Sequence, residues 1–351
     1  MTDRGIDMNK KRVLTVAALL AAAALLAALV FGLAGGFEHR EENKTQKLKI
    51  GIVLYRQDDT FITTLISHFQ DAVKTMETEK GITISANIVD SKGNQVLQND
   101  QVDRFLSQGY DVICVNMVDR TAAAVIIDKA RAANIPVVFF NREPVEEDLS
   151  RWNKTYYVGA DAAQSGLIQG QIVAELYLQS PESVDRNGDG KLQYVMLEGE
   201  PGHQDALIRT EYSVKTVLGA GIKVEKLANA TASWQRGSAS SKMTQWIAEF
   251  GDQIEVVFSN NDDMALGAID ALTVAEVENM PLIVGIDGTA PAIEAIANGT
   301  LTASVFQDTK GQADAILDLC YKLFLAAESD NDNIPQEKYI MLPYRKDAEL
   351  P

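Results

Sequence analysis

Continuous apolar segments that alternate with stretches of helical spacing limit the possible folds of this chain more than any other feature. LKIGIVLY is followed by FITTLISHFQDAVKTMETEKG, and ITISANIVD by QVLQNDQVDRFLSQG. Further apolar segments are DVICVNMV, PVVFFN, YYVGAD, LQYVMLEG, IEVVFSN, PLIVGID and LTASVFQD. Apolar strands separated by helices are typical of parallel sheets that are covered on both faces. So many strands exceed one sheet, and we therefore expect an α/β fold with two doubly wound, Rossmann-like lobes.

The composition suits a globular protein and argues against one class of partner. Of the 351 residues, 46% are hydrophobic and 23% are charged. The hydrophobic fraction is large enough to form a sizeable core. The net charge of -17 disfavours nucleic-acid binding, because phosphates attract basic surfaces. The two cysteines are Cys114, expected in a buried strand, and Cys320, and we do not expect a disulfide between them.

The N-terminal segment predicts export. MNKKR precedes an uncharged apolar run of about 24 residues. An export signal has an apolar core of roughly 7–15 residues, whereas a run of this length is also long enough to span a bilayer. We interpret residues 1–36 as a cleaved signal or an uncleaved membrane anchor, and residues 37–46 as a polar tether. No cysteine follows the run to carry a lipid.

Polar residues gather where the predicted strands end, which is where such sheets bind ligands. These ends read YRQDDTF, VNMVD, FFNREP, EGEPGHQDALIR, SNNDD, GIDGT and FQD, and Phe61 and Trp234 stand nearby. Carboxylates and amides bind hydroxyls, and aromatic faces pack on sugar rings, so the pattern suits a sugar. Glycine-rich phosphate loops, GxSxG and HExxH are absent from the sequence.

The segment DRNGDGKLQ has most of the pattern of a calcium-binding loop. Its oxygen-bearing side chains belong to Asp185, Asn187, Asp189 and Gln193. Gly190 permits the sharp turn, but the twelfth position, which is a bidentate Glu in helix–loop–helix sites, is Met196. The alternative for these residues alone, which the pattern favours less, is a polar surface turn without a metal.

Taken together, these stretches resemble the periplasmic galactose/glucose-binding proteins, which are type I sugar-binding proteins of ABC transporters. The resemblance runs from about Leu48 to Tyr344, and its most specific parts are GEPGHQDALIRT and the calcium loop. It implies two lobes joined by a three-strand hinge, with crossings near Pro136, Asp308 and Pro343. The N-terminal lobe would comprise residues 47–135 and 308–342, and the C-terminal lobe residues 136–307 and 343–351.

The resemblance also implies the residues that bind the sugar. Asp59 and Asn116 would bind hydroxyls on the C4 side, and Phe61 and Trp234 would sandwich the ring. Gln307 stands where the family usually has Asn. The full set is Asp59, Phe61, Asn116, His203, Asp205, Arg209, Trp234, Asn261, Asp287 and Gln307. Without the resemblance, several of these residues are equally typical of helix caps, turns or core positions.

For the calcium loop, the resemblance implies a structural Ca²⁺ whose bidentate carboxylate comes from the distant Glu255. Lys191 would contribute its backbone carbonyl. The implied ligands are Asp185, Asn187, Asp189, Lys191, Gln193 and Glu255.

The implied function is extracytoplasmic binding of a monosaccharide, D-galactose or D-glucose, by hinge closure. The protein would be a monomer in the periplasm or on the outer face of the cytoplasmic membrane. It would deliver the sugar to an ABC transporter permease, and a chemoreceptor would be a second partner. The alternative is a membrane-tethered sensing subunit that signals to a sensor kinase without transport. A glycosidase using paired carboxylates such as Asp205 and Asp287 is disfavoured, because the resemblance assigns both to hydroxyl binding, so we expect no enzymatic activity.

Overall fold

The computed structural model describes residues 13–26, 46–328 and 334–346, which fall into two compact units divided after Gln46. In the first unit, residues 13–26 form a helix, α1, with exposed side chains. None of the helices in these described ranges has both the length and the apolar character needed to cross a membrane. The remainder of the predicted signal or anchor, most of the tether and residues 347–351 lie outside the described residues.

Two six-stranded sheets organise the second unit. The first has the order β11-β5-β4-β3-β1-β2, and all of its pairs are parallel. Its strands are β1 (Lys47–Leu54), β2 (Thr83–Asp90), β3 (Val112–Val115), β4 (Val137–Phe140), β5 (Thr155–Ala160) and β11 (Tyr339–Leu342).

The second sheet has the order β12-β10-β9-β8-β6-β7, in which only β12 is antiparallel to its neighbour among the described pairs. Its strands are β6 (Leu192–Glu198), β7 (Val224–Thr231), β8 (Val256–Ser259), β9 (Leu282–Asp287), β10 (Ala303–Gln307) and β12 (Tyr344–Arg345).

Helices connect most of the strands. They are α2 (Thr60–Lys80), α3 (Gln95–Ser107), α4 (Ala123–Ala133), α5 (Glu146–Leu149), α6 (Ala162–Gln179), α7 (Pro181–Val184), α8 (Gln204–Gly219), α9 (Arg236–Phe250), α10 (Asp262–Val274), α11 (Ala290–Ala297) and α12 (Thr309–Glu328), with 3₁₀ turns at Arg120–Ala122 and Gly251–Gln253.

Buried apolar residues cover both faces of each sheet. In the first lobe, α2 and α12 pack on one face, where Leu65 and Leu317 join a cluster with Ile52. On the other face, Val102 of α3 and Ile126 of α4 join the cluster that includes Val53 and Phe139 of the sheet. The second lobe is built in the same way, with α9 and α10 on one face and α6 and α8 on the other. The predicted α/β fold with two doubly wound lobes is confirmed.

The predicted crossing near Pro136 is wrong. β4 pairs with β3, and β5 pairs with β4, so both strands belong to the first sheet. The chain therefore leaves the first lobe after Ala160, and α6 is the first helix of the second lobe. It returns between β10 and α12 and passes over again between β11 and β12, which gives three passages between the lobes. Apolar strands look alike in sequence whichever sheet they join, so pattern alone does not locate a crossing.

The two cysteines lie side by side in the first lobe. Cys114 is on β3 and Cys320 on α12, both are fully buried, and their Sγ atoms are 3.4 Å apart as free thiols.

Candidate functional site

A cavity lies between the lobes at the carboxyl ends of the strands. Its volume is about 30 Å³, which is space for about one or two water molecules, so in this arrangement the lining side chains nearly fill it. The first lobe contributes Tyr55, Asp59, Phe61, Ile62, Asn141 and Arg142, and the second contributes His203, Asp205, Arg209, Trp234, Asn261, Asp287 and Gln307. Nine of the ten residues predicted to bind a sugar are thus brought together.

Asn116 is the predicted residue that does not line this cavity. It is fully buried, and its amide group donates to Phe140 O at 3.2 Å and to Asn141 Oδ1 at 3.0 Å. Its Oδ1 accepts from the Tyr55 backbone N–H at 3.4 Å. Asn116 therefore supports two lining residues, Tyr55 and Asn141, from behind.

Asp59 is held in place by two donors from its own lobe. It is the N-cap of α2, where its Oδ1 accepts from the Ile62 N–H at 3.0 Å. The Tyr55 hydroxyl donates to its other oxygen. Burial, followed by the neighbouring Asp59 charge, raises the pKa of Tyr55 far above its usual range, so this hydroxyl stays a donor. The carboxylate is thus fixed at the cavity wall with lone pairs to spare.

A buried charge cluster forms the floor contributed by the second lobe. Arg209 Nη1 donates to Asn260 O at 2.8 Å, and Nη2 lies 3.4 Å from Asp205 Oδ2. Asp287 Oδ1 is 4.0 Å from Nη1. Burial raises the pKa of both carboxyl groups, and Arg209 opposes that rise. The Nε atom of Arg209 is buried and has no hydrogen-bond partner among the described residues, so it is free to donate to a ligand.

His203 is a neutral hydrogen-bond donor. Its Nδ1 accepts from the Asp205 backbone N–H at 3.2 Å, which leaves the proton on Nε2. Burial, and then Arg142 and Arg209, lower its pKa well below the usual value. Its ring meets the Trp234 ring edge-on, with centroids 5.0 Å apart. At neutral pH, His203 therefore offers an N–H without adding a positive charge.

Three lining residues other than glycine have backbones with positive φ. The values are 60° for Asn141, 65° for Trp234 and 130° for Asp287. Such conformations cost on the order of 1–3 kcal/mol each and concentrate at functional sites. The indole of Trp234 also rests on Gly199, where a Cβ atom would lie 2.1 Å from the ring. Backbone strain at Asn141, Trp234 and Asp287 therefore accompanies the placement of their side chains at the cavity.

Asp262 lies behind the cavity and was not predicted. It is fully buried, and its carboxylate accepts from Ser304 Oγ at 2.5 Å and from the Thr289 N–H at 2.8 Å. Burial raises its pKa to about 7, and its charge in turn raises the pKa of Asp287. The adjacent Asn261 caps α10 by accepting from the Met264 N–H at 3.0 Å.

Comparison with known proteins identifies the family. The family model of the periplasmic binding protein domain matches residues 50–328, which is most of the chain. The chain belongs to the periplasmic binding protein family. The resemblance inferred from the sequence is confirmed, and the protein is a binding protein rather than an enzyme. Membership of this family implies export.

Relatives of this periplasmic binding protein include two curated bacterial proteins. It is 39% identical to the D-galactose/methyl-galactoside binding periplasmic protein of Haemophilus influenzae, over 78% of this chain and 81% of the relative. It is 34% identical to a putative rhizopine-binding protein of Rhizobium meliloti, over 78% of this chain and 84% of that relative. A solved ABC transporter solute binding protein of Bacillus halodurans with bound myo-inositol is 27% identical, with a TM-score of 0.72 over 86% of this chain and 95% of that one.

In this periplasmic binding protein, the lobes touch directly around the cavity. Thr60 Oγ1 donates to Asp263 Oδ2 at 2.7 Å, and Gln204 Nε2 donates to Glu143 Oε2 at 2.9 Å. Each bond joins a residue of the first lobe to one of the second. The structure therefore represents a closed arrangement of the lobes.

In the predicted calcium loop of this periplasmic binding protein, carboxylate oxygens accept hydrogen bonds from the backbone N–H groups of the loop. The Asp185 carboxylate accepts from the backbone N–H groups of Gly188 and Gly190, both at 2.8 Å. The Glu255 carboxylate, 2% exposed, accepts from the N–H groups of Arg186 at 2.7 Å and Gln193 at 2.9 Å. Burial raises the pKa of Glu255. Glu255, which directly precedes β8, thus contacts the loop although it is distant in sequence.

Two observations bear on a metal in this loop. The buried Oε1 of Gln193 has no hydrogen-bond partner among the described residues. The same residues contain no cluster of three or more acidic, His or Cys side chains arranged around one point. The implied ligand set includes three carboxylates, two amide oxygens and a backbone carbonyl, and each of the three carboxylates already accepts two or more N–H groups. The oxygen donor set and the unpartnered Gln193 oxygen fit a calcium ion.

Proposed function

We propose that this protein binds D-galactose or D-glucose between its lobes and delivers the sugar to an ABC transporter permease. The most direct support is that Phe61 and Trp234 approach the same cavity from opposite lobes, each less than a tenth exposed. Aromatic rings from both lobes, together with carboxylates and amides in the same lining, suit a pyranose ring. The galactose-binding relative from Haemophilus influenzae supports the choice of hexose.

The polar groups of the cavity divide into acceptors and donors that match hydroxyl groups. Asp59, Asp205 and Asp287 accept, while Arg209 Nε and His203 Nε2 donate. A carboxylate accepts from a hydroxyl in either orientation, so Asp59 would accommodate both C4 epimers. Gln307 keeps the amide chemistry of the family at the end of β10.

The charges of the cavity favour a neutral sugar over a sugar phosphate. Three carboxylates line it, against two guanidinium groups, those of Arg142 and Arg209. Asp205 and Arg142 each already have a partner of opposite charge. Since Arg209 pairs with Asp205 and Arg142 with Glu200, little uncompensated positive charge is left to bind a phosphate.

Binding would stabilise the closed arrangement, because the sugar contacts residues of both lobes. The permease would then recognise the closed form. The solved relative with bound myo-inositol is an ABC transporter solute binding protein, which supports transport as the outcome. A chemoreceptor would be a second partner that recognises the same closed form.

A thermal-shift panel tests the ligand class. D-galactose, D-glucose, methyl-galactoside, myo-inositol, D-ribose and D-galactose 6-phosphate are each added to the protein. A ligand at 100 times its Kd stabilises the folded state by about 2.7 kcal/mol, which is a measurable rise in Tm. We expect the rise for galactose or glucose and none for the phosphate. A rise only for ribose or myo-inositol would overturn the hexose assignment.

We also propose that a structural Ca²⁺ is held by Asp185, Asn187, Asp189, the backbone carbonyl of Lys191, Gln193 and Glu255. The unpartnered Gln193 oxygen and the all-oxygen donor set support it. The ion would tie the loop to the strand β8 region of the second lobe, away from the sugar, and would stabilise the folded state by mass action.

A further inference from the structure

Arg142 lines the cavity but was not among the residues predicted to bind the sugar. It follows β4, which the strand pairing assigns to the first lobe, and it is 5% exposed. Its Cζ lies 3.5 Å from the centroid of the Tyr55 ring, and its Nη1 is 3.2 Å from Val118 O. Stacking on one side and a hydrogen bond on another fix the plane of the guanidinium.

Arg142 also reaches across to the second lobe. Its Nη1 lies 2.8 Å from Oε2 of Glu200, which follows β6. Because the two residues stand on different lobes, their ion pair requires the lobes to be together. The pair is largely shielded from solvent, with side-chain exposures of 6% and 27%, so solvent screens it less than an ion pair at an open surface.

The remaining end of the guanidinium has no partner. Nη2 of Arg142 is buried and lacks any hydrogen bond among the described residues. After burial, its charge is the next cause of the lowered pKa of His203, and it opposes the rise that burial causes in the pKa of Asp205, so it stands close to groups assigned to the ligand. A buried cationic donor left unsatisfied is costly, and an oxygen atom in the cavity would satisfy it.

We propose that Arg142 is a further ligand-binding residue, which donates from Nη2 to a hydroxyl or ring oxygen of the bound sugar while Nη1 holds Glu200 of the opposite lobe. The proposal rests on the proposed function. The planar fork of an arginine serves both partners at once, whereas the single ammonium of a lysine serves them less well. Arg142 thereby links occupation of the cavity to closure of the lobes.

Titration calorimetry and stopped-flow tryptophan fluorescence on the full-length, calcium-loaded protein test this inference. Arg142→Met is expected to raise the Kd for the bound hexose at least 30-fold. Arg142→Lys is expected to raise it about 10-fold, since it keeps the charge but loses the fork. Glu200→Gln is expected to raise it 3- to 5-fold, mainly through faster dissociation, and to add less than 2-fold when combined with Arg142→Met.

The matched control is Arg151→Met, an exposed arginine of the first lobe that pairs with Asp128; its Kd should equal that of the wild type. The Tm of each ligand-free variant separates lost binding from lost folding, and Arg142→Lys carries the test if Arg142→Met does not fold. If Arg142→Met folds and its Kd is within 2-fold of the wild type, the role of Arg142 is overturned, while the proposed function is not. If only Arg142→Lys folds, the same limit applies to that variant. Wild-type protein that binds no sugar would overturn the proposed function and, with it, the assignment of Arg142 to a sugar.

Discussion

Arg209 donates a hydrogen bond of 2.7 Å to the hydroxyl of Tyr344. Arg209 is on α8 and faces the cavity, whereas Tyr344 begins β12, directly after the third passage between the lobes. Both side chains are buried. One guanidinium therefore connects the hinge to the site.

Removing that hydroxyl tests the connection. Tyr344→Phe keeps the ring but leaves Arg209 Nη2 with only its 3.4 Å contact to Asp205. We expect sugar binding to weaken about 3- to 10-fold, which corresponds to about 0.7–1.4 kcal/mol, because the lost hydrogen bond acts on the sugar only through the position of Arg209. Calorimetry measures the Kd, and Tyr321→Phe, on α12, is the control. Unchanged affinity in Tyr344→Phe would mean that the hinge does not position Arg209.

Sequence patterns predicted the buried strands and the edge strand β2, but not β7, β11 and β12. β3, β4 and β8 are buried at every position, so they read as continuous apolar runs. β7 pairs only with β6, has no fully buried residue and reads VEKLANAT, so it carries no such signal. Edge strands expose one side and accept polar residues.

Nine lining residues were predicted through the resemblance to the family, and the missing polar ones lay within the same quoted strand ends. Tyr55 stands in YRQDDTF, and Asn141 and Arg142 stand in FFNREP. Polarity at a strand end indicated these segments, but not which side chain faces the cavity. That depends on backbone turns such as the positive φ of Asn141, which no pattern of hydropathy records.

The contact between Gly199 and Trp234 yields a second prediction. Gly199→Ala places a methyl group where the indole now lies, so Trp234 must move. We expect the Kd for the sugar to rise at least about 10-fold, since stacking depends on the ring position. Gly219→Ala is the control, because a Cβ atom there meets nothing within 4 Å. Wild-type affinity in Gly199→Ala would remove Trp234 from the binding site.

Removal of calcium should destabilise the protein. Mass action at 100 times the Kd contributes about 2.7 kcal/mol, so a chelator should lower the Tm by about 5 °C. Glu255→Gln should reduce this response, whereas Glu211→Gln, which affects only the exposed pair with Lys215 on α8, should keep it. Scanning calorimetry with and without EGTA makes the comparison. An identical Tm of the wild type in both conditions would contradict the calcium proposal.

Asp262 should make stability depend on pH. Burial raises its folded pKa from 3.8 to about 7, so between about pH 4 and 7 the folded state binds more protons than the unfolded state. The free energy of unfolding should therefore fall as the pH rises through this range. In Asp262→Asn this fall should be smaller, by on the order of 2 kcal/mol.

Urea unfolding at pH 4.5 and 7.5 measures the difference between the two proteins. Asp314→Asn, which alters an exposed pair with Lys310, serves as the control and should follow the wild type. A fall of equal size in Asp262→Asn and the wild type would show that Asp262 ionises with an ordinary pKa.

Calorimetric titration of the calcium-loaded protein with D-galactose and D-glucose tests the central claim most directly. We predict one-to-one binding of at least one hexose with a Kd of about 1 µM or tighter. Asp59→Asn should weaken it at least about 30-fold, whereas Asp58→Asn, in an exposed pair with Arg56, should not. Absence of binding of both hexoses by the folded wild-type protein would contradict the claim.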